Sequence, residues 1–208
     1  MQFSPTIRHF AGADNSSAYA CLMTGPAEPA YAPASSAFRY RLVMLIRLAK
    51  VAILAAVAAL VSLAALGNIT DYNTNFAFVE HVMSMDTLFP TTTITDRAVT
   101  SPALHHDAYA LIIATEIATA LLCWIGALVL LARCRGSAHA FNHGKTTAVA
   151  GLTLGFLLYQ FVFLAIAGEW FGMWMSREWN GVDSAFRYAT IIMLVLLFIA
   201  MPDHDLKE

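Results

Sequence analysis

Charge is what this chain has least of. Lysine, arginine, aspartate and glutamate make up 12% of its 208 residues, against roughly 25% in soluble domains. With 59% apolar residues and a mean hydropathy of +0.62, that shortage points away from a soluble fold and towards a bilayer. The net charge of −2 offers no basic surface for nucleic acid. Cysteine is scarce too. No two of Cys21, Cys123 and Cys134 share an expected exterior loop, so no disulfide is expected. The chain has no Gly-rich phosphate loop, no nucleophile elbow and no Cys-x-x-Cys. Their absence removes the common routes to phosphoryl, acyl and thiol chemistry, and the expectation is a protein that is not an enzyme. Residues 1–20 lack an apolar core and do not read as a signal peptide, although Cys21 follows Ala-Tyr-Ala.

Long apolar runs are what the chain does have. A bilayer core of about 30 Å needs about 20 apolar residues in a helix. Four segments meet or approach this: about 51–69, 108–132, 148–167 and 185–201. Pro202 supplies a stop for the fourth. The expected fold is all-α, an integral membrane bundle of four antiparallel transmembrane helices over residues 41–202. Residues 1–40, rich in Ala, Ser and Pro, read as a mobile cytoplasmic tail, and 203–208 as a cytoplasmic C-terminal tail. Met44, ahead of the first span, is either an alternative start or an ordinary apolar residue. Basic residues set the direction. Arg39, Arg41, Arg47 and Lys50 precede the first span, and Arg133, Arg135 and Lys145 separate the second from the third. The first exterior loop has only Arg97, and the second has Arg177 with Arg187 at the membrane edge. The N and C termini are therefore expected to be cytoplasmic. Trp170, Trp174 and Trp179 cluster where the third span would leave the outer face, as an aromatic belt does.

Small residues recur at helical spacing: Ala52, Ala56 and Ala59, then Ala110, Ala114 and Ala118, then Gly151 and Gly155. Such spacing lets helices approach closely. The expected consequence is a tight bundle, with dimerisation as the other reading.

Several strings stand out in order: GNITDYNTNFAFVEHVMSMDTLFP, RAVTSPALHHDAY, EIATALLCWIGAL, AFNHGK with GLTLGFLLYQFVF, and GEWFGMWMSREWNG with AFRY. Together, from about Met44 to Pro202, they resemble a bacterial family of predicted small integral membrane proteins, a domain of unknown function. The resemblance implies four spans in a bacterial inner membrane, a peripheral segment before Met44, and no established activity.

Glu116 is the sole charge in the second run, and an ionisable residue at such depth is expensive. Counted from the expected outer boundary, Gln160 falls at nearly the same depth, with Ser62 and Thr190 slightly shallower. The expectation is one polar layer of Ser62, Glu116, Gln160 and Thr190, flanked by Tyr159 and Thr119, with Gln160 as the partner of Glu116. Three readings follow: a protonated structural lock, a proton-, cation- or headgroup-binding site, and a contact to a partner subunit. Glu169 and Arg187 are a candidate ion pair at the bundle mouth, against the alternative of a solvated rim.

The first exterior loop holds His81, His105 and His106 among carboxylates and methionines, with Met173-x-Met175 in the second. These are metal-ligand residue types, but their spacing matches no recognised site and no metal is expected. Phe76, Phe78, Val79, Val82 and Met83 read instead as an amphipathic segment at the membrane surface. All seven histidines fall outside the four spans, which argues against an intramembrane haem. No cofactor is expected. The sequon Asn68-Ile69-Thr70 abuts a span and is discounted, while Asp71, Asn73 and Asn75 suit a helix cap. The lipid bilayer and a larger inner-membrane complex are the expected partners. An accessory or assembly subunit is the leading reading. The alternative is a minimal transporter, channel or ligand sensor built on the Glu116 layer, although four short helices suit alternating access poorly.

Overall fold

A computed structural model describes residues 36–205. Four helices in it are long and apolar enough to cross a membrane. α1 runs Ser36–Thr70 and α2 Tyr72–Ser84. α3 runs Pro102–Arg133, with Pro102 at the helix start, where its missing N–H costs nothing. α4, Ala138–His143, is capped by the Ser137 hydroxyl, which accepts from the Ala140 amide. α5, Thr146–Leu157, continues as a π-helical segment over Leu158–Trp170. α6 is Val182–Ala200, and Pro202 follows it. Single 3₁₀ turns at Thr95–Arg97 and Met173–Met175 complete the connections. The second begins after Gly172, whose φ of 67° is open to glycine and strained for other residues.

The spans pack in sequence, α1 on α3, α3 on α5 and α5 on α6, and α6 returns to α1. Leu54, Val61, Cys123, Leu130, Leu152 and Ile192 fill the shared core with no exposed surface. α3 and α5 approach closely at their glycines. A methyl added at Gly126 would stand 2.8 Å from the Ala148 backbone, and one at Gly151 2.8 Å from Leu122 Cβ. Gly151 and Gly155 are buried, as their spacing suggested. Ala52, Ala56, Ala110 and Ala114 are exposed, while Ala59 and Ala118 are half-buried, so those two stripes lie mostly on the outer side of the bundle.

Several boundaries differ from the expectation; the helices of the first and fourth spans begin at Ser36 and Val182 rather than about 51 and 185. The stretch read as a tail to residue 40 is helical from Ser36, while residues 1–35, with Cys21, lie outside the described residues. α3 starts six residues before the expected span at 108, because its first turns are covered by α2. Tyr72 meets Tyr109 edge-on at 4.8 Å, and Phe76 stacks on His106 at 4.1 Å. The C-terminal stretch read as a tail is docked at its start, with Asp203 buried, and 206–208 lie outside the described residues.

Candidate functional site

Glu116 is 3% exposed, and each carboxyl oxygen has a protein partner. Asn68 Nδ2 at the end of α1 donates to Oε2 at 2.7 Å, and the Tyr159 hydroxyl faces Oε1 at 3.4 Å. The Asn68 carbonyl accepts from the Tyr109 hydroxyl at 3.0 Å. Tyr188 of α6 stacks on Tyr159 at 4.5 Å. All four spans thus meet around one carboxyl, through Asn68, Glu116, Tyr159 and Tyr188.

This grouping corrects the expected layer. Gln160 is exposed and does not partner Glu116; its neighbour Tyr159 takes the inward position. Successive helical residues do not share a face, so depth counting found the level and missed the side. Thr190 is exposed for the same reason, beside the buried Ala189. Ser62 lies deeper than Asn68 by six residues, about 9 Å along a helix. Its hydroxyl donates to the Ala58 carbonyl at 2.7 Å and accepts from Trp124 Nε1 at 3.1 Å. It ties α1 to α3 and takes no part around Glu116. The depth error arises because α3 projects past the end of α1. Thr119 is buried one turn from Glu116 without a hydrogen-bond partner for its hydroxyl among the described residues. Glu169 and Arg187 are both exposed, and no ion pair joins them among the described residues; the bundle-mouth pair is not formed.

The three histidines weighed as ligands go separate ways. His81 bonds to Asp86 at 2.8 Å and stacks on Trp179 at 4.6 Å. The buried His105 bonds through Nε2 to the Val99 carbonyl at 2.7 Å. His106 pairs with the Tyr72 hydroxyl at 2.9 Å. Among the described residues no three His, Cys, Asp or Glu side chains gather as a metal site would need.

A second polar cluster closes the opposite end of the bundle. Arg47, Lys50, Lys145 and Asp203 are all buried there. Both lysines reach Asp203 Oδ2, at 2.6 and 2.5 Å, and both donate to the Met201 carbonyl at 2.7 Å. Asn142 accepts from Lys145 and from the Asp203 amide, and donates to the Asp203 carbonyl. Arg47 donates to the carbonyls of Cys134, Gly136 and His204. Sequence reasoning used these cations only as topology markers and missed the cluster. The available signal was Asp203, an acidic residue just past the helix-stopping Pro202, facing a surplus of basic residues at the same membrane side.

Neither cluster offers a nucleophile with a base or an open metal shell. The Glu116 cluster joins the four spans, and the Asp203 cluster joins α1, the α4–α5 turn and the segment after α6. The family model described as predicted small integral membrane protein (DUF2165) matches residues 46–202. No curated protein and no solved structure matches the chain. With most of the sequence inside that match and four spanning helices in the fold, the chain belongs to this family of small integral membrane proteins.

Proposed function

We propose that the protein is a non-catalytic accessory or assembly subunit of a larger complex in a bacterial inner membrane, with both termini cytoplasmic. The sealing of Glu116 carries this reading. A carboxylate that served a transported ion needs a wet path, and this one is 3% exposed with both oxygens partnered. α1 adds support. Its 35 residues span about 52 Å at about 1.5 Å each, well beyond a core of about 30 Å. Its buried positions begin at Arg47, and Tyr40, Leu42 and Leu45 before it are exposed. An apolar overhang of this kind suits another membrane protein better than water. The exposed Arg39, Arg41, Arg133 and Arg135, at the end where α1 starts and Asp203 docks, support that orientation.

Solubilisation in two mild detergents, with native mass measurement, tests the reading. The expected result is one partner recovered in both detergents and released by Leu42→Glu or Leu45→Glu. A monomer in both detergents and in native membranes refutes it. A second reading, an ion or proton sensor, draws on the half-buried Asn68 between Glu116 and the bundle end. Loss of an associated phenotype in Glu116→Gln at unchanged stability would favour that reading.

A further inference from the structure

A groove of about 440 Å³ runs along one side of the bundle in the half that carries α2. Three elements wall it. α2 contributes Val79, Val82 and Met83; α3 contributes Leu111 and Thr115; the π-helical segment contributes Phe163 and its neighbours. The lining is almost wholly apolar, so it has nothing to offer a peptide backbone or a hydrated solute. It opens on the side of the bundle, with Leu111 68% exposed at its edge. A partner helix does not fit: it is about 10 Å across and needs a track about 30 Å long, several times the volume available. A single alkyl chain does fit, and the volume lies within the range of small-ligand sites, about 300–1,000 Å³.

Charge selects among alkyl-bearing molecules. Arg97 is the sole basic residue between α1 and α3. Its guanidinium stands 4.7 Å over the Trp170 ring and donates to the Trp170 carbonyl at 3.3 Å. Trp170 adjoins Phe171, a wall residue of the groove. Arg97 has no ion pair among the described residues. A guanidinium held on a tryptophan beside a hydrocarbon slot matches a phosphodiester at the bilayer interface. We propose that this groove seats one acyl chain of a phospholipid from the leaflet on the α2 side, with Arg97 pairing its phosphate. The inference requires only that the chain spans a bilayer and stands apart from the subunit reading.

The test uses the full chain in vesicles of phosphatidylethanolamine and phosphatidylglycerol. The vesicles are doped with a phosphatidylglycerol carrying a diazirine on one acyl chain. Photolabelled positions are mapped by mass spectrometry. Leu128 and Leu194, exposed on α3 and α6 to a degree similar to Leu111, report ordinary lipid contact. The expected result is label several-fold denser at Leu111, Thr115 and Phe163 than at these controls. Ala108→Phe and Ala167→Phe, which fill the groove from different walls, bring it down to the control level. The two fillers guard against one that misfolds, and thermal melting identifies it. A diacylglycerol with the same labelled chain labels the groove several-fold less, and Arg97→Gln lowers the phospholipid to that level. Equal label at groove and control positions overturns the seat. Equal label from both lipids overturns the phospholipid. Label present in the purified chain but excluded in native membranes means that a protein fills the groove, and also overturns the proposal.

Discussion

At the scale of single residues, the two polar clusters make opposite demands on substitution. Glu116→Gln keeps the shape and an acceptor oxygen for Asn68 or Tyr159, so a structural lock tolerates it at a cost of about 1 kcal/mol or less. Glu116→Leu leaves the half-buried Asn68 amide and the buried Tyr159 hydroxyl without this partner and costs about 2–3 kcal/mol. Thermal melting in detergent separates the two, and equal losses would refute the lock. Asp203 is the sharper case. Among the described residues it is the only carboxylate touching two buried lysines. Asp203→Asn leaves both charges uncompensated and costs about 3–5 kcal/mol. Adding Lys145→Met removes one of the stranded charges and restores part of the loss, read as the coupling in a double-mutant cycle. Full additivity would mean that the pair does not interact. Glu116 itself stood out in the sequence, because a lone acid in an apolar run is costly whatever its role. Its partners were not. Side-chain partnership depends on which face a residue occupies, and a change in winding at Leu158 is invisible to a count of depth.

Among the elements, close approach between α3 and α5 sets the tightest constraint. Gly126→Ala places a methyl 2.8 Å from backbone atoms of Ala148, where no side chain can swing aside. The helices must part, at about 1–3 kcal/mol. Gly67→Ala provides the contrast. It lies in α1 with nothing within 4 Å, so the gain in helix propensity stands alone and stabilises by about 0.5–1 kcal/mol. Parallel melting curves of the two variants check the signs, and equal shifts would contradict the packing account. The four spans were readable as elements because twenty apolar residues admit few structures in a membrane. Their ends were less so. α3 begins at Pro102 because α2 folds over its first turns, a tertiary cover that local hydropathy does not record. The alanine stripes show the same limit. Period identifies a face, and only the neighbouring helix decides whether that face is buried.

For the whole molecule, one set of basic residues serves two purposes that the structure separates. Arg47, Lys50 and Lys145 are buried and bonded, whereas Arg39, Arg41, Arg133 and Arg135 are exposed at the same end. The bond from Lys50 to Asp203 brings the start of the first span and the end of the last to one face of the membrane, as an even number of crossings requires. Orientation is set during insertion by the count of cations near the span ends, each worth about 1 kcal/mol at an anionic surface. Stability is set afterwards by the few that find partners. Changing the four exposed arginines to glutamine therefore weakens the bias of orientation while the folded fraction melts as before. Changing Lys50 and Lys145 to glutamine lowers melting because Asp203 loses both cations, and it removes fewer charges from the topology signal. A C-terminal reporter active on only one side of the membrane reads orientation, and melting of the purified protein reads the fold. The separation fails if the exposed-arginine variant melts lower with its orientation intact.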